Sequence, residues 1–264
     1  MRRVLAGLVV LCQLGLGASG ALASTGNALQ PWPAGSNPPS NYPSKPGTEI
    51  GSAATPLPQA CSSAPTGSTC VNAAVYYLDK ARARLGQPAY KLPADFVKLG
   101  AVKEDFILTN LDRTLYKLPP IPGLTRALDQ DALTTGVDNG SGADPHPTGP
   151  NIQSYTANWA GAFYNLPLAY EAWMFDDGYG SFNADCTSPS DPGCWGHRHD
   201  ILWEFTSYGT GPLAMGAAGV KGRGYAMLIV RGASSAYKPK YNYTWKQAQK
   251  DGAGSHTYKV SQPS

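Results

Sequence analysis

Charged side chains are scarce in this 264-residue sequence, because Asp, Glu, Lys and Arg together make up only 15% of it. An average soluble domain contains about 25%. The low charge excludes a disordered polyelectrolyte, and the 30 glycines and 23 prolines exclude a coiled coil. Beyond the N-terminal segment, no apolar run approaches the roughly 18 residues of a membrane span. The mature chain is therefore predicted to have no transmembrane segment and a single packed core.

Several common catalytic motifs are also missing. The sequence contains no G-x-S-x-G, no H-E-x-x-H, no G-x-x-x-x-G-K-[ST], and no G-x-G-x-x-G between a strand and a helix. Residues 222–224 are Gly-Arg-Gly, but the third glycine is lacking and a strand follows, which indicates a turn. These absences exclude the enzyme classes that such motifs define. They do not exclude an enzyme of another class.

The first 23 residues have the pattern of a secretory signal peptide. Arg2 and Arg3 form a basic start, an apolar stretch follows, and Ala21-Leu22-Ala23 is a small-x-small cleavage site. We therefore expect a secreted, extracellular protein. Removal of the two arginines leaves 19 basic and 18 acidic residues. A charge so close to neutral gives no indication of a nucleic-acid partner.

Composition divides the remaining chain into three parts. Residues 24–60 contain eight Pro, four Gly and five Ser, which predicts an extended linker. A compact domain is expected over 61–235. Residues 236–264 are polar and rich in Lys, Tyr and Gly, and are predicted to form a flexible C-terminal tail.

Four cysteines remain after signal cleavage, an even number that suggests two disulfides in an exported chain. They are Cys61, Cys70, Cys186 and Cys194. Four cysteines allow three pairings. The local pairs Cys61–Cys70 and Cys186–Cys194 are favoured because each closes only a short loop, and neither spacing suits a zinc site.

Hydrophobic periodicity predicts helices first and strands later along the domain. Helices are expected over 71–85, 102–115, 125–135 and 166–177, with Asn165 capping the last one. Short apolar runs of strand length occupy 201–203 and 226–230. This order predicts an α+β fold rather than repeated βαβ units.

The densest polar cluster is residues 194–203, which contains two of the four histidines. In an extended segment, His197 and His199 would project from the same face. With a carboxylate they could bind Zn²⁺ or a similar divalent metal. The alternative is that one histidine is a hydrogen-bonded structural residue and the other is solvated.

Asp176 and Asp177 are the best candidates for that carboxylate. They fall at the predicted C-terminus of the fourth helix, where negative charge opposes the helix dipole and favours a compensating partner. Simple solvation is the alternative. Glu171 lies one and a half turns earlier and is expected to face elsewhere.

Residues 196–203, Gly-His-Arg-His-Asp-Ile-Leu-Trp, resemble the signature of the CAP superfamily, the family of cysteine-rich secretory, antigen-five and pathogenesis-related-one proteins, in its bacterial branch. Other family landmarks occur in the same order. They are N-x-x-R followed by L-P-P-I at 110–121, A-N-W-A at 157–160, W-M-F-D at 173–176 and M-G-A-A at 215–218.

The resemblance implies an α-β-α sandwich with a small antiparallel sheet between helices and a cleft with two histidines and two acids. In this sequence His197 matches one histidine and Asp176 one acid, while Asn158 lies in the segment of the second acid. Ala157 replaces that acid, and the histidine expected near Thr135 is missing.

Three hypotheses follow. The first is a secreted, non-catalytic CAP-like module that binds a lipid, sterol, peptide or cell-wall ligand through His197, Asp176, Asn158 and His199. The second is an extracellular metal-dependent hydrolase, in which His197, His199 and Asp176 hold the metal and Glu171 or Asp177 acts as general base. The third is a structural domain with a vestigial cleft. The oligomeric state and the cofactor, if any, are left open by the sequence.

Overall fold

The computed structural model describes residues 57, 59–140, 144–181, 183–205 and 210–260. The predicted signal peptide and nearly all of the predicted linker lie outside these residues. Within the described ranges, no helix is both long enough and apolar enough to cross a membrane.

Seven α-helices occur among the described residues, and the four predicted helices are present. Their bounds are α1 Ala60–Ser63, α2 Ser68–Arg84, α3 Ala101–Leu115, α4 Arg126–Asp131, α5 Leu166–Phe175, α6 Gly196–Ile201 and α7 Trp245–Lys250. A 3₁₀ turn covers Phe96–Lys98, and a π-helical turn, Ala132–Val137, continues α4. Asn165 caps α5 as predicted, since its side chain accepts a hydrogen bond from the Leu168 N–H.

Five strands form one mixed sheet in the order β2-β4-β3-β1-β5. Their bounds are β1 Gly123–Thr125, β2 Ile152–Ala160, β3 Leu213–Val220, β4 Gly224–Gly232 and β5 Tyr241–Thr244. The long strands β2, β4 and β3 are antiparallel, with Thr156 opposite Ile229 and Ala217 opposite Met227. The short strand β1 is parallel to β3, so the sheet is not purely antiparallel. The α+β class is confirmed.

The sheet lies between two helical layers. On one face, residues of β3 and β4 pack with α3 and α5 in the main core, which includes Met215, Met227, Ile229, Ile107 and Met174. On the other face, Leu128 of α4 packs against Ala214 and Val230. Ala132 and Val137 of the π-helical turn pack against Ala218, Ala226 and Leu228.

Both local disulfides that the cysteine spacing favoured are present. Cys61 and Cys70 are bonded with their Cα atoms 5.0 Å apart, and Cys186 and Cys194 with theirs 4.5 Å apart. These separations are within the usual disulfide range. The first bond joins α1 to α2, and the second closes the loop that precedes α6.

The structure differs from the predicted flexible tail after residue 235. β5 pairs with β1, and α7 follows it with a complete capping box between Thr244 and Gln247. Tyr243 and Trp245 are buried and contact the ring of Phe106 edge-on. The segment is polar overall, which suggested a tail, but its few apolar residues are buried against the domain. The domain therefore extends beyond residue 235.

The prediction of a strand at 201–203 is wrong, because this segment follows directly from helix α6. The His199 N–H donates to the Trp195 carbonyl at 2.9 Å, and the Leu202 N–H donates to the Arg198 carbonyl at 3.1 Å. Trp195 begins the helix with a left-handed φ of 65°. A six-residue helix is marginal on its own, and tertiary contacts of Arg198 hold it in place.

A buried polar network ties α2, α3 and α5 together around Asp112. One carboxylate oxygen of Asp112 accepts from the Arg82 guanidinium at 2.5 Å. The other accepts from the hydroxyls of Tyr90 and Tyr170, each at 2.6 Å. Arg82 also stacks on Tyr90, with its guanidinium carbon 3.3 Å from the ring centre. Every oxygen of this buried carboxylate is therefore satisfied.

Candidate functional site

The end of α5 meets the start of α6, and this junction brings several predicted site residues together. Every residue of helix α5 is buried, and all but Tyr170 and Glu171 are apolar, so the helix runs through the core. It ends at Phe175, and the chain continues directly into Asp176 and Asp177. The Trp195 N–H donates to the Asp177 carbonyl at 2.9 Å, which joins the end of α5 to the start of α6.

Asp177 and His197 form a close pair at this junction. Nδ1 of His197 lies 2.7 Å from Oδ1 of Asp177. The other carboxylate oxygen accepts from the Arg198 N–H at 3.2 Å, in the first turn of α6. The negative charge that opposes the dipole of α5 therefore lies at the favourable N-terminal end of α6. The sequence indicated that a partner was needed here, but not that a second helix would supply it.

The two members of this pair differ in exposure. The Asp177 side chain is only 1% exposed, whereas that of His197 is 25% exposed. Burial raises the pKa of Asp177, and the hydrogen bonds from His197 and Arg198 oppose that rise. Burial by itself would lower the pKa of His197, but the charge of Asp177 and its hydrogen bond raise it to about 9. The pair therefore joins a partly exposed imidazole, which a pKa of about 9 keeps protonated at neutral pH, to a buried carboxyl group.

Two polar side chains of β2 anchor α6 beside this pair. Nδ2 of Asn158 donates to the His197 carbonyl at 2.9 Å, and the Thr156 hydroxyl donates to the Asp200 carbonyl at 3.0 Å. Asn158 is 1% exposed, and its Oδ1 has no hydrogen-bond partner among the described residues. Asn158 therefore fixes the backbone that carries the imidazole and leaves one buried acceptor unused.

Asp176 is the least satisfied acid of the junction. It is 2% exposed, and neither carboxylate oxygen has a hydrogen-bond partner in the part of the chain that the structure describes. Burial, with the neighbouring charge of Asp177, raises its pKa to about 8. Glu171 is also buried, and its Oε2 likewise has no partner there. Burial and the charge of Asp176 raise the pKa of Glu171, and the charge of Arg84 opposes that rise. That Glu171 faces away from the acids at the helix end stays a prediction.

The predicted pairing of His197 and His199 on one face is also wrong. It assumed an extended segment, but in a helix successive residues turn by about 100°, so residues two apart point in nearly opposite directions. His199 is 8% exposed, and burial together with the charge of Arg198 lowers its pKa to about 4. His197 instead directs its Nδ1 towards Asp177.

The residues proposed to hold a divalent metal do not form a metal site in the described structure. No group of three or more His, Cys, Asp or Glu side chains in the described ranges is placed to bind one ion. His199 points away from His197, and Nδ1 of His197 is engaged by Asp177 rather than Asp176. The geometry therefore gives no support to the metal-dependent hydrolase, and we derive no step from it.

Sequence reasoning missed two residues that shape the junction. Arg198 is fully buried, and its guanidinium donates to the Met174 carbonyl and to the Tyr116 hydroxyl, which clamps α6 onto α5 and the end of α3. Asp200 is half-buried, and burial raises its pKa to about 8, with the charge of nearby His197 opposing that rise. Both residues belong to the 194–203 cluster, whose polar density was the available signal. Their roles depend on the helix, which local sequence did not indicate.

Comparison with known proteins adds no assignment: no family model, curated protein or solved structure matches this chain. The site is therefore defined by its own geometry. It consists of a partly exposed imidazole, the buried Asp177 carboxyl group that holds it, and the buried carboxyl group of Asp176, which has no hydrogen-bond partner among the described residues.

Proposed function

We propose that this chain is a secreted, CAP-like extracellular module that binds a cell-envelope or small hydrophobic ligand (a lipid, sterol, peptide or wall fragment) at the junction of α5 and α6. In this proposal the module is not an enzyme. His197 is the ligand-facing residue, Asp177 and Asn158 position it, and Asp176 supplies the buried acid beside it.

The proposal rests on a difference in hydrogen bonding between two side chains at the junction of α5 and α6. His197 is held rigidly through one ring nitrogen, yet a quarter of its side chain is exposed. Asp176, one residue from its partner, has both oxygens buried without a hydrogen bond in the described structure. Folding alone does not account for unsatisfied buried carboxyls, which native proteins usually avoid outside functional sites.

The segments that carry the CAP resemblance also interact with one another. Asn158, from the A-N-W-A segment, bonds to the backbone of His197 in the 196–203 segment. Arg113, from the N-x-x-R segment, is fully buried and donates to the carbonyls of Ile201 and Trp203 at 2.9 and 3.0 Å. Asn110 closes the loop that follows α3 with two hydrogen bonds to Ile121. The contacts of Asn158 and Arg113 therefore link three of these segments, which supports the proposed family.

Export is supported by the two disulfides. Disulfides persist in oxidising compartments and are rare in the cytosol. The basic-apolar-small pattern of the first 23 residues points in the same direction.

Thermal unfolding with defined ligands tests the proposal. The probes are phosphatidylcholine and phosphatidylglycerol vesicles, a solubilised sterol, a panel of tripeptides and soluble peptidoglycan fragments. At ten times its Kd, a ligand of the folded state adds about 1.4 kcal/mol of stability, which corresponds to an increase of roughly 3–5 °C in Tm. We expect such an increase for at least one probe.

The matched variants are His197→Gln at the site and His256→Gln at an exposed histidine of the C-terminal region. Each variant's shift is measured from its own ligand-free Tm. The increase should persist in His256→Gln and disappear in His197→Gln. If no probe raises Tm, the third hypothesis, a structural domain with a vestigial cleft, is favoured. An equal increase in His197→Gln would place the ligand elsewhere.

A further inference from the structure

Strand β3 continues past the end of its neighbour β1. The two strands pair only where Leu124 lies beside Met215. Directly after Thr125 the chain leaves the sheet and enters α4, with the Thr125 side chain as its N-cap. Residues 217–220 of β3 therefore have β4 on one side and no strand on the other.

The backbone of this segment presents unused hydrogen-bonding groups on its open side. The Ala217 N–H points away from β4, because it donates to Oδ1 of Asp129 at 3.1 Å. Backbone groups alternate between the two sides of a strand, so the N–H and carbonyl of Gly219 point to the same open side. Gly219 is exposed, and no turn or side chain in the described ranges bonds to its backbone. One stretch of sheet edge is thus available for a further strand.

A groove of about 310 Å³ runs along this edge. Its walls belong to different helical layers, since Val102 comes from α3 and Leu133 from the π-helical turn on the opposite face of the sheet. Arg126 and Gln130 of α4 complete the rim, and Val220 lies at the far end. The volume is at the lower end of the range for ligand sites. The groove therefore occupies the position that the next strand of the sheet would take.

The side chains that line the groove indicate which class of ligand it could bind. Arg126 is exposed in the first turn of α4, and no carboxylate among the described residues pairs with it. Both Val102 and Leu133 are partly exposed apolar side chains. Asp129 also lines the groove, but it is half-buried and one of its carboxylate oxygens accepts the Ala217 N–H, whereas Arg126 is exposed at the rim. The groove thus combines backbone donors and acceptors, two apolar contacts and an exposed positive charge.

We propose that this groove binds a short extended peptide that carries an acidic side chain, by adding it to β3 as a strand. A polypeptide backbone is the ligand that matches the alternating donor and acceptor of Gly219. Successive side chains of a strand point to opposite faces, so one would contact Val102 and the next would face Leu133 and Arg126. This site is separate from the junction of α5 and α6, and the inference does not depend on the function proposed there.

Amide NMR spectra of the full chain test the inference. The probe is a pool of acetylated and amidated pentapeptides, Thr-X-Glu-X-Thr, in which X is Val, Ile or Phe. Addition of the pool to millimolar concentration should produce a saturable shift of the Gly219 amide and slow its hydrogen exchange. The Ala217 amide already has a partner, and its exchange should change less.

Charge reversal provides the specificity test. Arg126→Glu should weaken binding of the Glu pool by about three-fold or more, the size expected for a partly exposed charge pair, and it should favour a matched Thr-X-Lys-X-Thr pool. Lys246→Glu, at an exposed lysine of α7, should leave both affinities unchanged. A peptide pool N-methylated at alternate backbone positions should not bind. Absence of a saturable Gly219 shift, or equal binding of both pools to wild type and Arg126→Glu, would overturn the inference.

Discussion

Asp112 and Asp176 are both buried aspartates in the helical half of the core, yet their surroundings are opposite. Asp112 accepts three hydrogen bonds, one of them from a buried arginine. Asp176 accepts none from the described residues, and burial with the charge of Asp177 raises its pKa. The first arrangement fixes the packing of three helices. The second weakens the folded state and is the arrangement expected where a protein keeps polar groups available for another molecule.

The largest expected loss of folding stability comes from replacing Asp112, whose carboxylate has all its hydrogen-bond partners. Asp112→Asn leaves the Arg82 guanidinium buried without a counter-charge and removes charged acceptors from two tyrosines. Loss of one partner of a buried ion pair costs about 3–5 kcal/mol. Urea unfolding at pH 6 should show a loss of this size. Asp95→Asn, at an exposed aspartate, should stay within about 0.5 kcal/mol of wild type. A loss below about 1 kcal/mol for Asp112→Asn would remove the contrast between the two regions.

A smaller loss is expected at the junction of α5 and α6. His197→Ala removes a charged hydrogen bond to Asp177, an interaction that contributes about 1.5–3 kcal/mol. The loss stays below that of Asp112→Asn because Asp177 keeps the Arg198 N–H as a donor. Unfolding of His197→Ala, Asp177→Asn and the double variant measures the coupling of the pair. Additive losses would show that the pair is not coupled, whereas we expect the double variant to lose less than the sum.

The dependence of folding stability on pH further tests the difference between the surroundings of Asp112 and Asp176. Burial raises the folded-state pKa of Glu104 to about 7, and those of Asp176 and Asp200 to about 8, against roughly 4 in the unfolded chain. These groups hold protons more tightly when folded, so stability is lost as pH rises from about 4 through 8. The pair with Asp177 raises the pKa of His197 to about 9, so its contribution is present below about 6.5 and lost as pH rises through 9.

His199 acts in the opposite direction, because its folded-state pKa is about 4 and its protonation favours unfolding as pH falls below about 6.5. Thermal unfolding from pH 4 to pH 9 should therefore show greatest stability between about pH 4 and 6.5 and a decline of at least about 1 kcal/mol by pH 9. A flat profile, or a maximum at pH 8, would contradict the raised pKa values of these buried acids.

The sequence predicted the elements whose signal is local. The helical periodicity of α2, α3 and α5, the Asn165 cap and the short cysteine loops are each set by residues close together in the chain, and each is present. α6 was missed because six residues carry too little periodicity, and its helix depends on the distant contacts of Arg198. The packing of α7 was missed because only a few apolar residues provide it.

The candidate site was predicted in composition but not in arrangement. Polar density identified His197, and the unfavourable position of Asp176 and Asp177 at the end of α5 indicated that these acids need a partner. Which acid meets the histidine depends on the direction of α6, and that direction depends on Asn158, 39 residues away in sequence.

Asp176→Asn should have the smallest effect on stability near pH 6 and is the most direct test of the unsatisfied region. Asp176 makes no hydrogen bond in the described structure, and because its pKa is about 8 it is protonated at pH 6. A neutral amide of the same shape should therefore change the free energy of unfolding by less than about 0.5 kcal/mol. At pH 9 the wild-type carboxylate is charged and buried, so the variant should be more stable than wild type by about 1 kcal/mol or more. Matched urea unfolding at the two pH values measures the difference, with Asp95→Asn as the control. A loss of more than about 1 kcal/mol at pH 6 would mean that Asp176 is satisfied in the folded protein, as Asp112 is, and would remove the main support for a binding site at this junction.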